Sequence, residues 1–98
     1  MDAKEIVFRI GYIRNRANLS ARALSLNLGK SGAYINRMEQ EGFYPSLPVL
    51  LEIIDACGST PEEFFYRDIA RYHADKDAFS FLNSLNEKQL KAIRNLYD

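Results

Sequence analysis

The sequence predicts an all-α protein, and two observations support that fold class. First, residues that can cap a helix recur along the chain, and each precedes apolar residues at the three- and four-residue spacing of one helix face. The candidate caps are Asp2, Ser20, Ser31, Ser46, Thr60 and Asn86. Second, the small residues Ala21, Ser25 and Gly29 recur at intervals of four, which lets two helices approach closely. We therefore expect five helices in residues 1–66 and a helical hairpin in residues 67–98.

The first predicted helix begins close to the N-terminus. Asp2 lies three residues before Glu5, which is the spacing of a capping box. The apolar residues that follow at helical spacing are Ile6, Val7, Ile10, Ile13 and Ala17. We expect this helix to end near Asn18, because asparagine tolerates the left-handed conformation found after a helix.

The next two predicted helices form a helix, a tight turn and a helix. Ser20 caps the first of them, which carries Leu24 and Leu28 on one face and stops at Gly29. The second is expected over about residues 32–41, after a cap at Ser31. Its core-facing residues are Ile35 and Met38, and its opposite face carries Ala33, Asn36, Arg37 and Gln40.

The remaining predicted helices complete the domain and extend it. Ser46 is expected to cap a fourth helix whose buried stripe is Leu47, Leu50, Leu51 and Ile54. Thr60, with Pro61 and Glu63, gives the fifth helix a strong start signal. Residues 74–77 are expected to separate this helix from the C-terminal pair. The apolar residues of that pair are Phe79, Leu82 and Leu85, followed after Asn86 by Leu90, Ile93, Leu96 and Tyr97.

Charge is distributed unevenly along the chain, although its 13 basic and 13 acidic residues give a net charge of zero. That balance argues against a nonspecific nucleic-acid binder. Residues 1–44 nevertheless carry seven basic and four acidic side chains, whereas residues 45–98 carry six and nine. The basic excess belongs to the part that contains the helix-turn-helix pattern, and local charge is what a phosphate backbone experiences.

The sequence gives little support for an enzyme or for a membrane protein. Gly29-Lys30-Ser31 imitates the end of a phosphate-binding loop, but Leu24 stands where that loop needs another glycine. The only histidine, His73, has no metal-ligand neighbour in sequence, and the single Cys57 fits a reducing compartment. No apolar run approaches membrane-spanning length and no signal-peptide pattern is present. We therefore expect a cytoplasmic protein without enzymatic activity, metal, cofactor or small-molecule ligand.

Several motifs together resemble the helix-turn-helix family of the phage repressor and Cro type, also called the xenobiotic-response-element family. They are Leu19-Ser20, the L-x-x-x-L-G run ending at Gly29, Y-I-N-R-M-E from Tyr34, P-S-L from Pro45, and T-P-E-E-F-F ending at Phe65. The resemblance covers about residues 8–66. It implies a five-helix DNA-binding domain that reads the major groove of double-stranded DNA with its third helix, in a transcriptional regulator, most simply a repressor.

The resemblance also indicates which side chains face the bases. Family members use the first two residues of the third helix and the residue five positions after its start, which here are Gly32, Ala33 and Arg37. Gly32 and Ala33 cannot hydrogen-bond to bases, so direct readout is expected from Arg37 and Asn36. The full candidate DNA-binding set is Arg16, Arg22, Lys30, Ser31, Gly32, Ala33, Tyr34, Asn36, Arg37, Gln40 and Tyr44.

Alternatives stay open at each of these positions. Arg37 can pair with Glu41 one helical turn later. Arg16, Arg22 and Lys30 are candidates for phosphate contact or for ordinary solvated surface, and Tyr34 and Tyr44 can donate to phosphates or pack beneath a loop. Ala21 replaces the glutamine that relatives carry at the start of the second helix. These departures sustain a second hypothesis, a protein-interaction module on a helix-turn-helix scaffold with weakened DNA binding.

The C-terminal helices also allow two interpretations. Short helices are only marginally stable without packing. These two therefore either pack against their own domain and extend its core, or form the contact of a homodimer. The candidate dimerisation residues are Phe79, Leu82, Leu85, Leu90, Ile93 and Leu96.

Overall fold

The computed structural model describes residues 1–97, and this part of the chain contains helices and no β-strand. The all-α prediction is therefore confirmed. The chain divides into two compact units, Met1–Tyr66 and Arg67–Asp98. The helices of the first unit are α1 (Ala3–Arg16), α2 (Ala21–Asn27), α3 (Tyr34–Glu41), α4 (Leu47–Ala56) and α5 (Pro61–Phe64). The second unit contains a 3₁₀ helix (Ile69–Arg71), α6 (Tyr72–Ser84) and α7 (Glu87–Tyr97).

One apolar core holds the five helices of the first unit together. Its fully buried side chains are Ile10, Ile13, Leu24, Ile35, Met38, Ile53 and Phe64. Each of the larger ones stabilises the fold by about 1.5–3 kcal/mol relative to an exposed position. Helices α2 and α3 make the most extensive contact, and α1 packs against both α3 and α4. The core thus lies beneath the helix-turn-helix and fixes the angle between its two helices.

Four of the expected caps are made by side chains. Asp2 accepts from Glu5 N–H, Ser20 from Ala23 N–H and Thr60 from Glu63 N–H. Asn86 and Gln89 bond reciprocally, each side chain to the other's backbone N–H, at 2.9 and 3.0 Å. This is the complete capping box predicted for the last helix.

The caps predicted at Ser31 and Ser46 are wrong as side-chain caps. Ser31 and the two residues after it form a turn, so α3 begins at Tyr34 with Ala33 as its N-cap. Ser46 does occupy the N-cap position of α4, but its side chain makes no capping hydrogen bond. Pro48 has no N–H, which removes one of the two donors that a serine cap normally bonds.

Two predictions about the later helices also need correction. Leu47 and Leu51 are 63% and 44% exposed, whereas Ile53 is buried, so the buried stripe of α4 is Leu50, Ile53 and Ile54, followed by the buried Cys57 at the C-cap. Residues 74–77 do not form a separator, because α6 runs through them without interruption from Tyr72. The break after α5 is made instead by residues 65–68 and the short 3₁₀ helix.

Two arginines of α1 fasten the end of the first unit. Arg9 is buried and donates to the carbonyl oxygens of Phe64 and Tyr66 as well as to the Glu5 carboxylate. Arg16 donates through both terminal nitrogens to the buried carboxylate of Glu63, at 2.5 and 2.7 Å. These contacts tie the two ends of the first unit together across more than 45 residues of sequence.

Candidate nucleic-acid interface

The turn between α2 and α3 depends on two features. Gly29 has a φ of 72°, a left-handed conformation that the sequence predicted and that glycine adopts without steric cost. The buried Ser25 hydroxyl then donates to Ala21 O at 2.7 Å and accepts from Ile35 N–H at 2.9 Å. Ser25 therefore supplies, from α2, the capping bond that α3 does not receive from its own N-cap residue.

Helix α3 separates its side chains into two faces, as its sequence pattern indicates. Ile35 and Met38 are fully buried against the core. The exposed side chains are those of Ala33 at the N-cap position and of Asn36, Arg37, Gln40 and Glu41 within the helix. An exposed face with guanidinium and carboxamide groups can donate to and accept from the edges of bases.

A largely buried ion pair between Arg14 and Glu39 holds α3 against α1. Arg14 on α1 donates from Nε to Glu39 Oε1 at 2.8 Å and from Nη2 to Glu39 Oε2 at 3.3 Å. The same guanidinium reaches the carbonyl oxygen of Leu19 at 2.9 Å, which fixes the segment leading into α2. Arg14 thus joins α1, α3 and the start of the helix-turn-helix through one planar group.

Arg37 has one acidic neighbour on its own helix. Its Nε lies 3.7 Å from Glu41 Oε1, and the two side chains are 60% and 58% exposed. An exposed pair at this spacing contributes about 0.2–0.5 kcal/mol in an isolated helix. That energy is small against a bidentate contact to guanine, at about 1–3 kcal/mol of discrimination. The Glu41 pair therefore leaves Arg37 available to a partner.

The residues around the turn form an aromatic and basic cluster. Lys30 Nζ lies 5.5 Å from the centre of the Tyr34 ring, a cation–π distance. Tyr34 is half-buried and meets Phe43 edge to face at 6.3 Å, so its ring packs beneath the loop after α3. Tyr44 is 60% exposed, and Ser31 is exposed beside Lys30.

Arg22 lies over Gly32. A Cβ atom placed on Gly32 would stand 3.5 Å from Arg22 Cγ, 3.2 Å from its Cζ and closer still to Nη1. The aliphatic stem and the guanidinium of Arg22 therefore cover the α-carbon of the first residue that the family resemblance assigns to base contact.

Arg16 has a different environment from the other basic candidates. Its guanidinium is bound by the Glu63 carboxylate and lies 5.7 Å from the centre of the Tyr12 ring. The hydrogen bond with Glu63 is the main cause that raises the pKa of Arg16. The structure thus gives Arg16 a partner within the fold at the α1–α5 contact.

Three of the residues that position this surface are absent from the set predicted from the sequence. Ser25 stands out there only as a small residue, although a buried serine next to a turn can bond to a helix terminus. Arg14 and Glu39 are 25 residues apart, and nothing in the local pattern pairs them. Their signal is that each is a charged residue close to the apolar stripe of its helix.

Other kinds of site find little support in the described chain. Residues 1–97 contain no cluster of three or more histidine, cysteine, aspartate or glutamate side chains placed to hold a metal ion. No helix in this range is long and apolar enough to cross a membrane.

One of three comparisons with known proteins gives a match, and it agrees with this geometry. Residues 10–64, more than half of the chain, match the family model described as Helix-turn-helix. No curated protein and no solved structure gives a significant match. The matched segment begins within α1 and ends at the last residue of α5. The chain therefore belongs to the helix-turn-helix family of the phage repressor and Cro type, a family of DNA-binding regulators.

Proposed function

We propose that this protein is a sequence-specific transcriptional regulator, acting as a repressor, that inserts α3 into the major groove of double-stranded DNA. The observation that supports this most strongly is the construction of α3. It buries Ile35 and Met38 while presenting Asn36, Arg37 and Gln40 outward. A rigidly held helix with one polar exposed face is what groove recognition requires.

Within this proposal the exposed side chains divide by chemistry. Arg37 and Asn36 read base edges, since arginine bonds guanine O6 and N7 and asparagine bonds adenine N6 and N7. Ala33 contacts the methyl group of thymine, and Gln40 stands one turn beyond Asn36. Contacts with the phosphate backbone come from Lys30, Ser31 and Tyr44, whereas the half-buried Tyr34 ring packs beneath the loop after α3. Arg16 does not belong to this set, because its guanidinium is held by Glu63.

The proposal includes a homodimer formed through the second unit. Phe79, Leu82 and Leu96 are 70%, 40% and 81% exposed, and Phe81, which the predicted stripe omitted, is 59% exposed. Leu85 and Ile93 are half-buried, and the side chain of Leu90 lies outside the described part of the chain. Exposed aromatic and aliphatic side chains on two consecutive helices favour a second copy of the chain as the partner. Two linked α3 helices would also bind two half-sites with much higher affinity than one.

A second function is favoured by two observations. Arg37 already has Glu41 within 3.7 Å, and Gly32, Ala33 and Ala21 present no polar side chains to DNA. A protein-interaction module that has kept the helix-turn-helix scaffold would show the same features.

One experiment separates these functions. The purified full-length chain is used to select fragments from a pool of random 30-base-pair duplexes at 50 mM salt, and the enriched fragments are sequenced. The proposal expects enrichment of one motif, which is lost in the Asn36→Ala/Arg37→Ala double variant and kept in a Glu52→Ala control on α4. Absence of any duplex binding by the wild-type chain would leave the interaction module as the better account.

A further inference from the structure

Arg22 differs from the other arginines of the first unit in its pairing. Four arginines there lie within 4.0 Å of a carboxylate, and the pairs are Arg9–Glu5, Arg14–Glu39, Arg16–Glu63 and Arg37–Glu41. Among residues 1–97, by contrast, Arg22 forms no ion pair and no side-chain hydrogen bond, and its side chain is exposed. Its five N–H donors are therefore available in a domain where the other guanidinium groups are already matched with acids.

Arg22 lies against Gly32, although its guanidinium forms no ion pair with the described residues. The side chain crosses from α2 onto Gly32, whose α-carbon it covers so closely that any Cβ at residue 32 would collide with Nη1. The Gly32 backbone is not left-handed, unlike that of Gly29, Gly42 and Gly58, so its conformation does not itself require glycine. The missing side chain instead leaves the space that Arg22 fills.

We infer that Arg22 is a base-reading, specificity-determining residue that takes the place of the side chain absent from Gly32. This inference rests on the proposed function and changes the role of Arg22 from the phosphate contact that the sequence suggested. A guanidinium resting at the entry to α3 makes a bidentate contact to guanine O6 and N7, at a base pair other than the one read by Arg37. Gly32 acts as a positioning residue, because it keeps open the surface on which Arg22 lies.

The test is a matrix of variants and duplexes. Full-length wild type, Arg22→Ala, Arg22→Lys, Gly32→Ala and the Arg22→Ala/Gly32→Ala double variant are titrated against the selected duplex and all its single-base-pair substitutions. Circular dichroism confirms that each variant is folded. Lys30→Ala serves as the matched control, since it removes a neighbouring positive charge without touching Gly32.

The expected results follow from the geometry of the guanidinium. Arg22→Ala lowers discrimination at one base pair by roughly 5- to 150-fold and leaves the other positions unchanged. Arg22→Lys keeps the charge but loses discrimination at the same base pair, because an ammonium lacks the planar fork. Gly32→Ala reduces that discrimination when Arg22 is present and has no further effect in the double variant, which is the signature of coupled residues.

The outcomes that would overturn this inference differ from those that would overturn the proposed function. If Arg22→Ala weakens all duplexes equally and lowers the slope of log K against log salt by about 0.9, Arg22 is a phosphate contact and the inference is overturned. The inference is also overturned if sequence preference survives unchanged in Arg22→Ala and Arg22→Lys while the wild type still selects one motif. If the wild type binds no duplex at all, the proposed function falls, and this inference falls with it.

Discussion

The hydroxyl of Ser25 on α2 accepts a hydrogen bond from the backbone N–H of Ile35 on α3 at 2.9 Å, and both residues are completely buried. The same hydroxyl donates to Ala21 O, so the serine acts both as a donor and as an acceptor inside the helix-turn-helix. One hydroxyl therefore links α2 to the first turn of α3, in addition to the apolar core that fixes the angle between the two helices.

Ser25→Ala is expected to destabilise the fold by about 1–3 kcal/mol, because the Ile35 N–H would stay buried without an acceptor. Urea denaturation of the full chain measures the free energy of unfolding. Ser80→Ala, on the exposed surface of α6, is the control and should change it by less than about 0.5 kcal/mol. Equal effects of the two substitutions would show that the Ser25 bond does not hold the turn.

Glu63→Gln is expected to lower the free energy of unfolding by about 1.5–3 kcal/mol, because Arg16 and the Ser59 hydroxyl would lose a charged acceptor. The neighbouring Glu62→Gln changes the same group at an exposed position and should be nearly neutral. DNA binding by the folded fraction of Glu63→Gln should match the wild type. A selective loss of DNA affinity without a loss of stability would return Arg16 to the DNA-binding surface.

Arg37→Ala and Lys30→Ala are expected to weaken DNA binding in different ways. Arg37→Ala should cost about 1–3 kcal/mol on the preferred duplex and flatten the preference at one base pair. Lys30→Ala should weaken all sequences alike and lower the slope of log K against log salt by about 0.9. Fluorescence anisotropy at several salt concentrations gives both quantities. The assignment of Arg37 to a base fails if its removal leaves sequence preference intact.

Phe79→Asp in the full chain is expected to shift the protein from dimer to monomer at tens of micromolar, because it places a charge in the proposed apolar contact. Sedimentation equilibrium measures the dissociation constant. Ser80→Asp, which adds the same charge on the side of α6 opposite the middle of Phe79, Phe81 and Leu82, is the control and should leave the dimer intact. A wild-type monomer at this concentration would leave packing within one chain as the role of the second unit. If the dimer binds DNA, its two α3 helices should lie about 34 Å apart or at a multiple of that distance.

Stability is expected to fall at alkaline pH through Cys57. Burial raises the pKa of its thiol, so above the ordinary thiol pKa the unfolded chain releases a proton that the folded chain retains. This contribution to stability is complete below the unfolded pKa and is lost as the pH rises through the folded pKa. In urea titrations from pH 7 to 10, Cys57→Ala should lose less stability than the wild type. Parallel pH profiles would mean that the thiol is equally ionisable in both states.

The sequence predicted those features that depend on neighbouring residues. The caps at Asp2, Ser20, Thr60 and Asn86 each need a partner three residues away, and the left-handed Gly29 follows from the lack of a side chain. Features that depend on another helix were missed or misplaced. The buried stripe of α4 was misplaced because six apolar residues, Leu47, Val49, Leu50, Leu51, Ile53 and Ile54, make most of the helix circumference apolar. Packing against α1, α2 and α5 is what buries Ile53 and leaves Leu51 exposed.

In the candidate site, too, the sequence predicted the local features and missed the contacts between helices. The exposed face of α3 could be inferred from periodicity alone, as Ile35 and Met38 fix the orientation of the helix. The Arg14–Glu39 pair, the Ser25 bond and the position of Arg22 over Gly32 could not, because each joins residues that are 10 to 25 positions apart.

The bonds from Arg9 to the last residues of the first unit decide where that unit can be cut. The family match ends at residue 64, but the buried guanidinium also needs the carbonyl oxygen of Tyr66. A fragment that stops at residue 64 would remove this acceptor and leave a buried cation with fewer hydrogen bonds, at a cost of about 1–3 kcal/mol or more. An expression fragment for crystallisation or spectroscopy should therefore extend at least through Tyr66, two residues beyond the end that similarity to the family suggests.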